Sequence, residues 1–347
     1  MRILVGGCVR QAPEVLRAHL QTLQWQRLPQ GVSLSFYFVD DNLDNESSEL
    51  LASVEGACVL PATERPDGAE YSTHEGGHSW TIPTFYHLAV QKQRLLEIAL
   101  LQNFDAVLLV DSDLLLAPDT LTSLLATEKE VVSGVFWTSW GATDAPLPQV
   151  WTTHPYGFDG AGWTTHTFLR DLRNRSLVRV RGLGACTLIR TNALRRGAAF
   201  WPLVPGLPEW GMWQGEDRHF CVRAERQHIE LWADAWPQIY HVYRPSDRTH
   251  CNDVIAQLAI EPAIIDGTYV SLIVEPCEEP QLALHKEHIR GRIGSLPLLP
   301  DIEDAVREMR VGDSRFVRAH FPAECEIEEY RGRAKGMRIT LGSASLD

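Results

Sequence analysis

The residues best suited to chemistry in this sequence are acidic and sit where hydrophobic runs stop. Val107-Leu108-Leu109-Val110 is apolar at every position and leads straight into Asp111-Ser112-Asp113, while the run from Leu34 to Val39 leads into Asp40-Asp41. Side chains alternate along extended chain, so the i, i+2 spacing sends Asp111 and Asp113 to one side and Ser112 to the other. Two carboxylates can then leave a buried strand end toward one cation. Hard oxygen ligands select Mg²⁺ or Mn²⁺, which can bridge a diphosphate. The competing reading is that acids merely end strands and begin turns, as an isolated D-x-D usually does.

A third cluster is Trp213-Gln214-Gly215-Glu216-Asp217-Arg218-His219-Phe220-Cys221. Glu216 and Asp217 open a helical pattern, where carboxylates also complement the helix dipole for up to ~1 kcal/mol. That role accounts for the acids but not for the Trp and Gly before them. His241 follows a further strand, and the commoner fate of a single His is a satisfied, partly buried side chain. His74-Glu75-Gly76-Gly77-His78 fits the letters of the H-E-x-x-H zinc-protease string, but that chemistry needs both histidines on one helix face. Two consecutive glycines each cost ~1 kcal/mol in a helix, so this segment, with Ser72-Thr73 before it and Pro83 after it, reads as loop.

The elements that must hold these groups alternate. Ile3-Leu4-Val5 reads as a strand, and Pro13 opens an amphipathic helix with Val15, Leu16, Leu20 and Leu23 on one face. Phe85 to Leu101 is a helical pattern before the fully apolar strand ending at Val110, and Pro118-Asp119 starts another helix. Val131 to Phe136, Ala185 to Arg190, Ile229 to Trp232 and Ile239 to Val242 read as strands. Glu216 to Gln227 reads as a helix with Phe220, Cys221 and Ala224 inward. Short connections between alternating elements predict an α/β fold with a mainly parallel sheet covered by helices, whose ligands sit at the carboxyl ends of the strands.

Composition narrows the function classes. The chain has 347 residues, 44% hydrophobic and 22% charged, which describes globular rather than disordered or fibrous protein. A formal net charge of -13 argues against nucleic acid or anionic lipid as a partner of the bulk field. No apolar run reaches the ~18 residues of a membrane helix, so the expectation is a cytoplasmic protein with no integral membrane segment. The seven cysteines form no C-x-x-C and read as free buried thiols. All 11 tryptophans fall between Trp25 and Trp236. That shift suggests a boundary near residues 250 to 270.

In their order along residues 1 to 245, these features resemble the GT-A glycosyltransferases, especially the inverting family 2-like enzymes. The resemblance is carried by Val39-Asp40-Asp41, Leu108 to Asp113, Gly182-Leu183-Gly184-Ala185-Cys186-Thr187-Leu188-Ile189-Arg190, Gly215-Glu216-Asp217-x-x-Phe220-Cys221-x-Arg223-Ala224 and His241. It implies a GT-A mixed sheet flanked by helices over residues 1–260, a nucleoside-diphosphate sugar as donor, and a carbohydrate or other hydroxyl as acceptor. Asp41, or its neighbour Asp40, would contact the nucleotide base. Asp111 would lie near the ribose and metal, and Asp113 and His241 would ligate Mn²⁺ (or Mg²⁺). Asp217 would be the general base, with Glu216 orienting the acceptor. Lys92 or Arg94 would reach the donor, against the reading that both are solvated on a helix surface. Gly182 and Gly184 would let backbone approach the sugar-phosphate, unless they only serve a turn. Trp137, Trp140, Trp151, Trp163 and Trp213 are candidates to stack on a sugar, with core packing as the alternative.

A second resemblance covers residues 268 to 342. Gly294 to Ala305-Val306, Gly312-Asp313, Phe321-Pro322 and Tyr330-Arg331-Gly332-Arg333 are similar to the second half of an FKBP-type prolyl isomerase domain of the trigger-factor kind. The first half is shortened around Pro276 to Leu284, and Cys325 stands where Tyr is usual. This implies a small β-rich α+β accessory domain at 268–347 without isomerase activity, which binds a polypeptide or packs on the first domain and helps form a homodimer. The alternative for the whole chain is a non-catalytic, peptide-binding, chaperone-like protein acting through that module. A nucleotidyltransferase is the enzymatic competitor, but Gly6-Gly7-Cys8-Val9 is too sparse in glycine for a phosphate loop.

Overall fold

The computed structural model describes residues 1–139, 146–152, 166–173, 175–201 and 215–260, and beyond them only the backbone of strands Thr268–Val274, Arg292–Ile293, Leu296–Pro297, Ser314–Ala319, Arg331–Ala334 and Met337–Ser343. The chain opens with β1 (Arg2–Val9), α1 (Pro13–Gln24), β2 (Ser33–Asp40), α2 (Asn45–Ala52) and β3 (Cys58–Pro61). A hairpin of β4 (Tyr71–His74) and β5 (Gly77–Trp80) leads into α3 (Ile82–Leu101) and β6 (Ala106–Val110). There follow β7 (Leu114–Leu116), α4 (Thr120–Ala126), β8 (Val131–Gly134), β9 (Trp137–Thr138), β10 (Leu147–Pro148), α5 (His166–Arg173), β11 (Leu177–Val180), β12 (Cys186–Arg190), α6 (Thr191–Arg195), α7 (Glu216–Arg226), β13 (Leu231–Asp234), β14 (Ile239–His241) and α8 (Cys251–Ile260).

Eight strands form a mixed sheet in the order β11-β13-β8-β12-β6-β1-β2-β3. The pairs β3–β2, β2–β1, β1–β6 and β8–β13 are parallel, whereas β12 runs antiparallel to both β6 and β8, and β11 runs antiparallel to β13. The α/β expectation holds, and the sheet is mixed, as the resemblance implies, rather than mainly parallel, as the alternation alone suggests. Direction depends on how long loops return, which apolar runs do not encode. The C-terminal backbone strands pair antiparallel with one another and join the eight through a single pair, Leu177 with Phe316.

Alternation in the central strands explains the layers. Leu4, Val107 and Leu109 face α3, α6 and α7 with Leu95, Leu96, Ala193 and Phe220. Ile3, Val5, Leu108 and Val110 face the other way, toward Leu16, Leu20 and Leu23 of α1, Leu51 of α2 and Leu121, Leu124 and Leu125 of α4. With helices on both faces, every residue of β6 is buried, hence the unbroken apolar run. Each fully buried Leu or Val contributes ~1.5–3 kcal/mol.

Element limits differ from the sequence reading where packing decides. Pro83 lies in the first turn of α3, which starts at Ile82 rather than Phe85, because a first-turn proline loses no helical hydrogen bond. His74 and His78 sit on facing strands of a hairpin rather than in a loop, and their segment is not helical. The strand expected over Ile229 to Trp232 runs instead from Leu231 to Asp234, beside β8.

Since β12 is antiparallel to both neighbours, β6 and β8 run the same way. The carboxyl ends of β1, β2, β6, β8 and β13 therefore share one edge, where Asp41, Asp111 and Asp113 emerge.

Candidate functional site

Three clusters far apart in sequence meet at this edge. The Lys92 ammonium, on α3 and 2% exposed, lies 3.1 Å from Asp111 Oδ1, 2.9 Å from Glu216 Oε1 and 3.3 Å from Asp217 Oδ1. Arrival of α7 on α3 makes this possible: Gly215 caps α7 in extended conformation and the two acids fill its first turn. The contacts correct the solvated reading for Lys92. Arg94 turns away, donating to the Pro61 carbonyl at 3.0 Å and to Gln91 Oε1 at 2.7 Å, and so is not brought to the cluster.

One cation among three carboxylates leaves excess negative charge. Burial, with help from Glu216 and Asp111, outweighs Lys92 and pushes the Asp217 carboxyl up to about 7. The same balance, with Asp113 and Glu216 as like charges, raises Asp111 to about 6. Burial opposes the Lys92 charge, but the three acids hold its pKa well above the ordinary value.

The second acid of the D-x-D faces elsewhere. Asp113 Oδ2 lies 3.3 Å from His241 Nε2, and the other ring nitrogen, Nδ1, lies 2.7 Å from Thr138 Oγ1. β14 pairs antiparallel with β7, placing His241 opposite Leu114 and so beside Asp113. Burial works against the Asp113 charge, yet His241, by charge and hydrogen bond, brings its carboxyl down to about 2. As a metal centre, Asp113 and His241 form a ready pair of one oxygen and one nitrogen donor, a set suited to Mn²⁺. Asp111 is engaged by Lys92, and among the described residues no group of three or more His, Cys, Asp or Glu side chains is arranged to hold a metal ion. Asp113 and His241 are thus the two side chains that would hold such a cation.

Asp41 lines a pocket with Asp111, Ser112 and Asp113, along with Arg10, Arg65, His87, Tyr71 and Trp80. Its carboxylate is held by Arg65, with Arg10 at 3.9 Å, while His87 Nε2 stands 3.4 Å away without a hydrogen bond to it. Asp40 instead accepts from the Asn42 backbone N–H and side-chain amide at 3.1 and 2.8 Å, fixing the turn. Sequence reasoning missed Arg10, Arg65 and His87. Arg10 could have been noticed as the first residue after β1, but nothing marks Arg65 within its Pro-rich loop.

The hairpin closes the side next to His241. His78 lies against Tyr243 with ring centres 4.6 Å apart and planes tilted by 32°, and its ring centre stands 6.1 Å from that of His241. Its turn is latched: the Glu75 carbonyl accepts from Arg244 Nε at 2.8 Å, and the Glu75 carboxylate accepts from the Ser246 backbone N–H at 3.0 Å and hydroxyl at 2.7 Å.

The surrounding protein leaves no room for a side chain at Gly182 or Gly184. A Cβ at Gly182 would stand 1.7 Å from the Trp151 ring, and one at Gly184 would stand 2.9 Å from the Gln149 carbonyl. Trp151 has the Arg218 guanidinium 4.7 Å from its ring centre. It is thus packed between Gly182 and Arg218. Trp140, Trp163 and Trp213 lie outside the described residues. The five described cysteines are free, with Cys186, Cys221 and Cys251 buried.

The chain is thus an α/β protein whose mixed eight-stranded sheet, flanked by helices, gathers acidic residues at one edge. No family model matches it. Among solved structures it is similar to S. aureus TarS, at 17% identity over 74% of this chain and 39% of that one, with a TM-score of 0.40. It is also similar to GalNAc-T7 with UDP, GalNAc and Mn²⁺, at 13% identity over 70% of this chain and 44% of that one, with a TM-score of 0.45. The chain thus spans less than half the length of either protein. No helix among the described residues is long and apolar enough to cross a membrane.

Proposed function

We propose that the chain is a GT-A glycosyltransferase that moves a sugar from a nucleoside diphosphate to an acceptor hydroxyl with inversion. The observation that carries this reading is the meeting of Asp111 with Glu216 and Asp217 on Lys92, at the strand edge where Asp113 pairs with His241.

An alcohol is a poor nucleophile at neutral pH, and a carboxyl pushed up to about 7 is matched to removing its proton. Asp217 takes that proton as the oxygen attacks the anomeric carbon, and the bond to the diphosphate breaks on the opposite face. Glu216, 8% exposed and bonded to Lys92, fixes the ammonium that holds Asp217 in place. Arg10 and Arg65, beside Asp41, line the donor pocket with cationic charge. A divalent cation, held by Asp113 and His241 when bound, would offset charge on the departing diphosphate. The C-terminal strands are an accessory module in this reading.

The test is thermal melting with UDP, GDP, CDP and dTDP, each with and without Mn²⁺, for the native protein, Asp113→Asn and Asp217→Asn. One nucleotide at ~100 times its dissociation constant adds about 2.7 kcal/mol. The expected result is a shift that needs Mn²⁺, disappears in Asp113→Asn and survives in Asp217→Asn, which still fails to transfer sugar. No shift with any nucleotide would sink the proposal.

A further inference from the structure

His87 is a buried polar side chain on the wall of the pocket that holds Asp41, on the same face of α3 as Thr84 and Leu88. It is 4% exposed, and its Nε2 is buried with no hydrogen-bond partner among the described residues. A buried ring nitrogen left unpaired is costly, because it has given up water and gained nothing in return. A ligand that supplies the missing partner removes that cost on binding.

The surroundings of His87 fix what the partner must be. Asp41 Oδ1 lies 3.4 Å from His87 Nε2, with no hydrogen bond between them. A carboxylate so close favours the tautomer with its proton on Nε2, so His87 presents a donor. The guanidinium groups sit at the other carboxylate oxygen: Asp41 Oδ2 accepts from Arg65 and has Arg10 Nη1 3.9 Å away. Asp41 Oδ1 therefore keeps its capacity to accept, between a histidine N–H on one side and guanidinium N–H groups on the other. A ligand edge that meets this row needs an acceptor, a donor and an acceptor in order. An N–H between two carbonyls is such an edge, and uracil and thymine carry it. Cytosine turns a bare ring nitrogen toward the carboxylate, and adenine has no ring N–H on its pairing edge. Guanine follows its N–H with an amino group, which would set a donor against the guanidinium donors.

We propose that His87 determines which nucleotide the pocket takes, its Nε2–H donating to one carbonyl of a uracil-type base while Asp41 Oδ1 accepts the neighbouring base N–H. That the base belongs to a sugar donor rests on the transferase reading; the match of pocket and base does not. Lys92 follows five residues later on α3, about 7.5 Å along the helix axis, so the base reader and the acidic cluster share one rigid element.

The experiment is titration calorimetry on the full chain with Mn²⁺, using UDP, dTDP, CDP, GDP and inorganic pyrophosphate. The native protein is compared with His87→Phe, which keeps a flat ring without the N–H, and with His87→Gln, which restores an N–H. The native protein should bind UDP and dTDP at least tenfold more tightly than CDP and GDP. His87→Phe should lose tenfold or more for UDP and little for pyrophosphate, which has no base, and His87→Gln should recover part of the loss. Equal affinity for UDP, CDP and GDP in the native protein, a comparison that needs no variant, would overturn the proposal. Equal losses of UDP and pyrophosphate in His87→Phe, or no loss of either, would do the same. Preference for CDP or GDP would overturn the role of His87 and leave the transferase standing, whereas no binding of any nucleotide would overturn both. Base-selective UDP binding that depends on His87, with no sugar transferred from any UDP-sugar, would support the proposal and count against the transferase alone.

Discussion

Lys92 is the residue on which the site turns, and its removal has a defined pH dependence. Breaking a buried ion cluster by deleting one partner costs about 3–5 kcal/mol. In Lys92→Met that cost should be largest at pH 8, where Asp111 and Asp217 are ionised, and smaller at pH 5, where they hold protons. Urea unfolding at the two pH values checks this; an equal loss at both would place the effect in packing alone. Asp217 supplies the complementary case. A carboxyl whose folded pKa stands near 7 rather than 3.8 costs the fold nothing below 3.8, costs more as pH climbs, and carries its full cost above 7. Asp217→Asn should therefore be more stable than the native protein at pH 8, by on the order of 1 kcal/mol, with the gain gone at pH 4. Its transfer rate should fall at least 100-fold, while the native rate rises with pH toward 7 and then levels. Asp111 and Asp113 stood out in the sequence because they follow an apolar run, and Glu216 and Asp217 because they open a helical pattern after a Trp and a Gly. The Lys92 contacts did not, because α3 is packed between the sheet and α7 and buries Gln91 and Lys92 as well as leucines, so a face pattern does not sort its polar positions.

The hairpin of β4 and β5 is the element least visible beforehand. Its residues, Tyr71 to Trp80, lack an apolar alternation, and it is held by aromatic contacts and by the Glu75 latch. Gly77 has φ +122°, and a Cβ there would lie 2.5 Å from the Tyr243 hydroxyl. Gly77→Ala should lose about 1–3 kcal/mol, read as a lower melting point. Glu75→Ala removes the two carboxylate bonds to Ser246, keeps the backbone carbonyl bond to Arg244, and should leave the melting point nearly unchanged while speeding hydrogen exchange across residues 71–80. Unchanged exchange would mean that the rings and the Arg244 bond suffice to hold the hairpin. By contrast, α1 was legible almost to the residue, since Val15, Leu16, Leu20 and Leu23 are all buried.

At the scale of the molecule, the expected boundary near residue 260 can be tested directly. The C-terminal strands meet the eight-stranded sheet through one residue pair, Leu177 with Phe316. A chain of residues 1–260 should fold cooperatively, melt within about 5 °C of the full protein and keep its nucleotide response. Loss of cooperative melting would show that the C-terminal strands complete the core. Sheet direction was not legible in the apolar runs, because β12 reverses between two parallel neighbours, and only the resemblance implied a mixed sheet. That reversal also bears on how the chain is made. β6, in the middle of the sheet, gains its second neighbour only when β12 has been synthesised. At about 5–20 residues per second, the roughly 80 residues from Val110 to Arg190 hold an apolar strand half-paired on the ribosome for on the order of 10 seconds. For that interval the nascent chain presents the most aggregation-prone edge it will ever have, a natural point for chaperone capture during translation.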